Sequence, residues 1–275
     1  MNPSTDSFTV NIAEMPVTLV LAECDDATRA RILDRYSAFA ATHAAAMLSI
    51  RLRVEPGAAF IPIGNSPYWQ IRTAERDGRI EFESYFERGW ADRISGEGEL
   101  LLRPEGDAEN YLRVLYAWLC LEQPGLVLHA SGIISNGRGY VFFGASGSGK
   151  TTVSRLSLDR TVLSDDLVIV KKHNGVYRLY GVPFRGDFPE APRHNASADL
   201  RGLFTLVKDT DHFVAPMEIT EAAARLASCA PFVMAQAQSA QRVLRICADL
   251  AAQIPVRALH FRRDAGFWEV IDGLD

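Results

Sequence analysis

Lysine is scarce in this chain: Lys150, Lys171, Lys172 and Lys208 are its only four, against 25 arginines. A lysine set among glycines therefore stands out. Cysteine is sparse too. Cys24, Cys120, Cys229 and Cys247 lie far apart, with no C-x-x-C pair and no histidine at ligand spacing. That pattern excludes an evident zinc site or disulfide framework and leaves reduced, buried thiols as the expectation. No apolar run approaches the ~20 residues of a membrane span. The opening "MNPSTDSFTV" has neither the basic start nor the apolar core of a signal peptide. A soluble, cytoplasmic protein is expected. Excess positive charge is missing as well: the net charge of -5 argues against nucleic acid or an anionic membrane surface as partner.

There is no internal repeat and no low-complexity tract, and 275 residues suffice for one large or two smaller domains. "VTLVLA" (Val17–Ala22) reads as a strand, followed by a helical pattern from about Asp25 to Ala40. "WQIRTAERDGRIEFESYF" reads as a hairpin, because Asp77-Gly78 separates two alternating runs. "GELLLRPEG" ends in proline and glycine and reads as a linker. From Asp107 the apolar spacing turns helical and stops at Pro124-Gly125. The predicted domains are therefore 1–105, a smaller α+β domain, and 106–275. In the second, apolar runs flank Asn136-Gly137 and Asn174-Gly175, and helices are expected near Thr220–Ala230 and Ser239–Gln253. Strands mixed with helices around a central glycine loop predict an α/β fold.

That loop is "YVFFGASGSGKTTVS". Gly144-Ala145-Ser146-Gly147-Ser148-Gly149-Lys150-Thr151 satisfies G-x-x-x-x-G-K-[ST], and Thr152 follows it. Glycines let successive backbone N–H groups curve around phosphate oxygens without Cβ clashes. Lys150 would neutralise β- and γ-phosphates, and the Thr151 hydroxyl would reach magnesium. "YVFF" supplies the strand that must precede such a loop, and "KTTVSRLSL" the helix that must follow. The expected ligand is ATP or GTP with magnesium.

Phosphates gripped this way react only if something orients metal and nucleophile. "VLSDD" places Asp165 and Asp166 at the end of an apolar strand. One could hold magnesium while the other accepts the proton of an attacking hydroxyl. Taken alone, Ser-Asp-Asp is ordinary turn chemistry. His129, in "LVLHAS", would ordinarily be a core residue. Its strand leads through a short turn into the one that feeds the loop, which would bring it near the γ-phosphate. Arg185, in the turn-rich "GVPFRGD", could brace a transferring phosphoryl group. Arg193, His194 and Arg201 read as solvated. Lys171 and Lys172 read as an exposed hairpin edge kept charged against stray pairing.

The order "LHASG…YVFFGASGSGKTT…VLSDD…GVPFRG" resembles the catalytic domain of the HPr kinase/phosphorylase family, over about sixty residues and more loosely to the C-terminus. It is most similar to the shorter HPr-kinase-related serine kinases, some of which act on the C-terminal serine of lasso-peptide precursors. "LHAS" and the glycine loop are also similar to ATP-dependent phosphoenolpyruvate carboxykinase. The resemblance implies that Lys150 and Thr151 serve phosphates and magnesium, that Asp165 or Asp166 activates the acceptor serine, and that His129 lies in the active site. It does not extend to the basic C-terminal loop or the Glu-Arg-Gly segment of true HPr kinases. HPr recognition and the reverse phosphorylase activity are accordingly not implied.

The expected function is an ATP- and magnesium-dependent kinase acting on a serine of a peptide or small protein. The N-terminal domain would recognise that acceptor, and a homo-oligomer is compatible with the apolar C-terminal helices. Two alternatives use the same loop: a small-molecule kinase or carboxykinase-like enzyme, and a nucleotide-binding regulatory module without turnover.

Overall fold

A computed structural model describes residues 6–42, 44–64, 69–184, 186, 188 and 193–274. The chain separates into two compact units, Met1–Leu119 and Cys120–Asp275.

The first unit begins with β1 (Ser7–Ile12) and β2 (Met15–Glu23), joined through Ala13 and Glu14 at φ 51° and 61°. Helix α1 (Asp26–Tyr36) starts where Asp25 Oδ1 accepts the Thr28 N–H at 2.8 Å, an N-cap that satisfies an otherwise orphaned donor. Next come β3 (Leu48–Val54), β4 (Arg72–Arg76), β5 (Arg79–Glu83), β6 (Glu87–Asp92) and β7 (Glu97–Leu102). They form one sheet in the order β1-β2-β3-β7-β6-β5-β4. The β4–β5 hairpin turns at Asp77-Gly78, as its sequence predicts, with φ of 50° and 84°. "GELLL" is no linker: it is β7, parallel to β3 and antiparallel to β6. Leu100 and Leu102 are fully buried there, and that burial outweighs the chain-breaking Pro104 and Gly106 just beyond. Helix α2 (Glu109–Glu122), which runs across the division between the units, covers this sheet with Tyr111, Leu112, Leu115 and Trp118. Tyr111 donates to the Trp90 carbonyl at 2.8 Å, and Tyr116 to those of Val10 and Met15.

The second unit holds β8 (Gly125–Ser135), β9 (Arg138–Phe143), α3 (Lys150–Arg155), β10 (Thr161–Ser164), β11 (Leu167–His173), β12 (Val176–Tyr180), β13 (Ser197–Lys208), β14 (Phe213–Pro216), α4 (Ile219–Ser228), α5 (Ala237–Gln253), β15 (Val256–Phe261) and α6 (Phe267–Asp272). Its pairings close on themselves. β8 meets β11, β11 meets β12, β12 meets β13, β13 meets β9, and β9 returns to β8. Two long strands make this possible. β8 pairs through its first half with β11 and through its second with β9, while β13 passes from β12 to β9 and then to β15. β9, β13 and β15 are mutually parallel, so their carboxyl ends lie together.

One face of these parallel strands carries an aromatic core. Phe142 stacks on Phe204 at 5.5 Å and meets Trp268 edge-on at 5.7 Å; Tyr140, Phe261 and Phe267 complete the cluster. Aromatic side chains bury ~150–250 Å² each, so this cluster dominates the unit's packing.

The two adjacent lysines do not form the expected exposed hairpin edge. β11 lies inside the sheet between β8 and β12, and Lys171 is 3% exposed. Its Nζ donates to Gln123 Oε1 at 3.3 Å and sits 5.5 Å from the Tyr180 ring, while Lys172 pairs with Asp249 at 2.7 Å. The aliphatic stem of a lysine tolerates burial when its ammonium finds acceptors, so Lys171 belongs to the interior, while the half-buried Lys172 is held by its acid partner and neither guards a sheet edge. The four cysteines are free and buried. No helix among the described residues is long and apolar enough to cross a membrane.

Candidate functional site

β9 delivers the chain into the glycine loop, and α3 takes it out. Gly144, Gly147 and Gly149 all have positive φ, at 150°, 76° and 117°. Gly149 is doubly constrained, because a Cβ there would stand 2.9 Å from the Phe261 ring. The loop lies over the aromatic core at that point and no side chain fits between them. Ala145, Ser146 and Gly147 form the exposed tip.

α3 has only six residues, far below the ~12–15 that make an isolated helix even marginal. Tertiary contacts fix it. Val153 is fully buried in the aromatic core, Ser154 Oγ shares a 2.8 Å hydrogen bond with Ser131 Oγ of β8, and the Trp268 indole N–H donates to Ser157 Oγ at 2.9 Å. The Lys150 ammonium donates back to the loop, to the carbonyls of Gly144 (3.0 Å) and Ala145 (3.2 Å). Burial holds it below the ordinary lysine range, opposed by the negative charge of Asp166.

Strand register brings the remaining candidates to this loop. Ala130 pairs with Phe143 and His129 with Leu167, so His129 sits between the end of β9 and the start of β11. Asp165 and Asp166 occupy the bend between β10 and β11, where Ser164 Oγ accepts the N–H groups of Asp166 and Leu167, both at 3.2 Å. The two acids face different partners. Asp165, 5% exposed, accepts from the Thr151 hydroxyl at 3.2 Å. Asp166 is more open and lies 3.5 Å from His129 Nε2, on a half-exposed ring. His129, Lys150, Thr151, Asp165 and Asp166 thus form one constellation at the loop.

Arg185 lies outside the described residues. Its neighbour Gly186 is described: a methyl group there would stand 2.5 Å from Asp166 Cβ and 2.8 Å from Asp165 Oδ1. Gly186 itself therefore lies against the carboxylate pair, and only glycine allows that approach. Arg193 and His194 are half-buried and Arg201 is exposed.

Three features fit an anionic polyphosphate with a divalent cation. Ser148 Oγ is buried with no hydrogen-bond partner among the described residues, close to Gly144. A buried hydroxyl of that kind calls for a ligand or solvent. The tip has open space around Gly147. The donor set beside it, one hydroxyl and two carboxylates, consists of hard oxygens, which suit magnesium held by few protein ligands and completed by phosphate. Among the described residues no group of three or more His, Cys, Asp or Glu could hold a metal alone.

Sequence reasoning missed one element at the site. The Cys229 carbonyl, at the end of α4, accepts the His129 N–H at 2.7 Å, which places the α4–α5 connection beside the constellation. Only the pairing pattern of β8 reveals it.

Fold and site together define a mixed α/β unit with a Walker-type loop at the carboxyl ends of parallel strands. Residues 109–274, more than half of the chain, match the family described as SynChlorMet cassette protein ScmC, and the chain belongs to that family. No curated protein matches it. Among solved structures it is similar to the Hpr(Ser) kinase/phosphatase of Coxiella burnetii, at 13% identity and a TM-score of 0.29, over 50% of this chain and 78% of that one. A likeness so remote says nothing of activity.

Proposed function

We propose that residues 106–275 form an ATP- and magnesium-dependent kinase domain that transfers the γ-phosphoryl group to a serine hydroxyl of a peptide or small protein. One observation carries the reading. A phosphate-loop lysine and threonine share a strand-end site with two aspartates, one bonded to that threonine and the other beside a histidine. Phosphoryl transfer asks a protein mainly for positioning and charge neutralisation, and this set offers both.

The roles divide by partner. Loop N–H groups, the Ser148 hydroxyl and Lys150 would bind the phosphates, with Thr152 at their inner end. Thr151 and Asp165 would hold magnesium, which when bound neutralises phosphate charge and orients the transferring group. Asp166, the more accessible acid, would accept the proton of the incoming hydroxyl. His129 would keep that carboxylate oriented. Arg185, next in sequence to Gly186, would brace the transferring group. The N-terminal domain, residues 1–105, is proposed to recognise the acceptor.

The test follows γ-labelled ATP with magnesium, using peptides ending in serine or threonine and a cell extract as acceptors. The wild-type protein should label a serine, and Lys150→Ala should not. Label confined to a small molecule would replace the peptide acceptor with a metabolite. Nucleotide bound without transfer to any acceptor would reduce the activity to nucleotide binding.

A further inference from the structure

We infer that the second unit holds the nucleoside end of its nucleotide, with the α-phosphate, in a cleft on the opposite side of the glycine loop from the aspartates. The inference rests on the nucleotide reading above and adds to it a direction and a set of residues.

β9 has two different neighbours. On one side lies β8, which carries His129 and leads to Asp165 and Asp166 through its pairing with β10 and β11. On the other lies β13, and beyond it β15, both parallel to β9. Register sets Thr205 beside Phe143 and Lys208 beside Phe261, so β13 and β15 end on the same side of the sheet as the loop.

A cleft of about 450 Å³ opens there, lined by Gly149, Thr152, Lys208, Phe261, Arg262 and Arg263 together with Asp209. Its volume falls within the roughly 300–1,000 Å³ of small-molecule sites. Its charge is one-sided. The Asp209 carboxylate is occupied by His260 (2.8 Å) and the Thr210 N–H (2.7 Å), and Arg262 is paired with Asp264 at 2.5 Å. Lys208 and Arg263 have no carboxylate partner among the described residues, although Lys208 is one of only four lysines in the chain. Exposed cations without a carboxylate partner, at a wall that includes Gly149 and Thr152, suit an anion continuous with one held by the loop.

A polyphosphate on the loop has two ends. The transferable one must meet the metal-binding and proton-accepting groups, which lie on the β8 side. The other end, with ribose and base, is then directed to the β13–β15 side, where Lys208 and Arg263 can reach the α-phosphate and the sugar. The acceptor hydroxyl approaches from the His129 side and does not compete for the cleft.

The experiment is photolabelling of the full chain by 8-azido-ATP with magnesium, followed by peptide mapping. ATP-induced thermal stabilisation is measured in parallel for the wild type, Lys150→Ala, Lys208→Glu and Arg263→Glu. Label on peptides covering 206–213 or 258–264, displaced by ATP and lost in Lys150→Ala, is expected. Lys208→Glu and Arg263→Glu should each bind ATP about tenfold more weakly or worse, with an unchanged melting temperature when no nucleotide is added. Lys150-dependent label on peptides around 129, 165–166 or 229–234 would reverse the orientation and overturn the inference while leaving the nucleotide site standing. Wild-type ATP affinity in both charge-reversed variants would overturn it as well. If neither label nor stabilisation depends on Lys150, the nucleotide reading itself falls and takes the cleft with it.

Discussion

Glu87 in the first unit and Asp165 in the second are carboxylates of similar burial, 2% and 5% exposed, yet their surroundings differ. Glu87 accepts from Ser84 at 3.1 Å and from Asn110 at 3.4 Å, with no cation bonded to it among the described residues. Burial, and then the charge of Asp107, push its carboxyl up to about 8. Asp165 sits at a strand end against an exposed glycine loop, with the Thr151 hydroxyl on it and the Gly186 backbone pressed over it. The sealed acid stores a proton. The strand-end acid keeps an oxygen where a cation can arrive. Burial alone therefore marks no site; burial beside an open loop of donors does.

Three tests would break or sharpen this contrast, and the largest effect is expected from the acid that neither case describes fully. Asp166→Asn should lower phosphoryl transfer by roughly 10²–10⁴, the usual worth of a positioned base, while leaving nucleotide affinity near that of the wild type. Equal losses in binding and in turnover would instead make Asp166 a binding residue. Next, Thr151→Val or Asp165→Asn should raise the magnesium concentration needed for half-maximal activity by about tenfold or more, as losing one of few hard ligands does. An unchanged magnesium titration would make Asp165 as inert as Glu87 and dissolve the comparison.

The smallest effect belongs to Glu87 itself. Its folded carboxyl holds the proton above the ordinary 4.5, so the associated stability is full below about 4.5 and is lost as pH rises toward about 8. Denaturant unfolding of the full chain, followed by the transition of the first unit, should show this loss, at most about 1.4 kcal/mol per pH unit for one proton. Glu87→Gln should flatten the profile across that window. An identical slope in the variant would assign the pH dependence to other groups.

Much of the second unit was legible in the sequence because its signals are local. The glycine loop, its flanking strand and helix, and the Ser-Asp-Asp bend each lie within a few residues of one another. His129 needed only one predicted hairpin to reach them. Turns at Asp77-Gly78, Asn136-Gly137 and Asn174-Gly175 were readable for the same reason, since all six residues adopt the left-handed φ that Asn, Asp and Gly accept most readily. The Ala13-Glu14 turn adopts that conformation with residues that carry no such signal, and β1 was missed with it. β7 was misread because two chain breakers stand just past its end. Lys208 and Arg263 reach the loop only through the parallel register of β13 and β15, and no local pattern encodes a register between segments so far apart.

The bond from Trp268 to Ser157 spans 111 residues and ties the last helix to the turn that ends the loop's own helix. Trimming the chain before Phe267, a routine step when a tail is judged dispensable, would remove Trp268 and Ile271 from the core on which Val153 rests. Such a truncation would act as a mutation of the glycine loop without touching one of its residues. Expression design should treat residues 267–272 as part of the site.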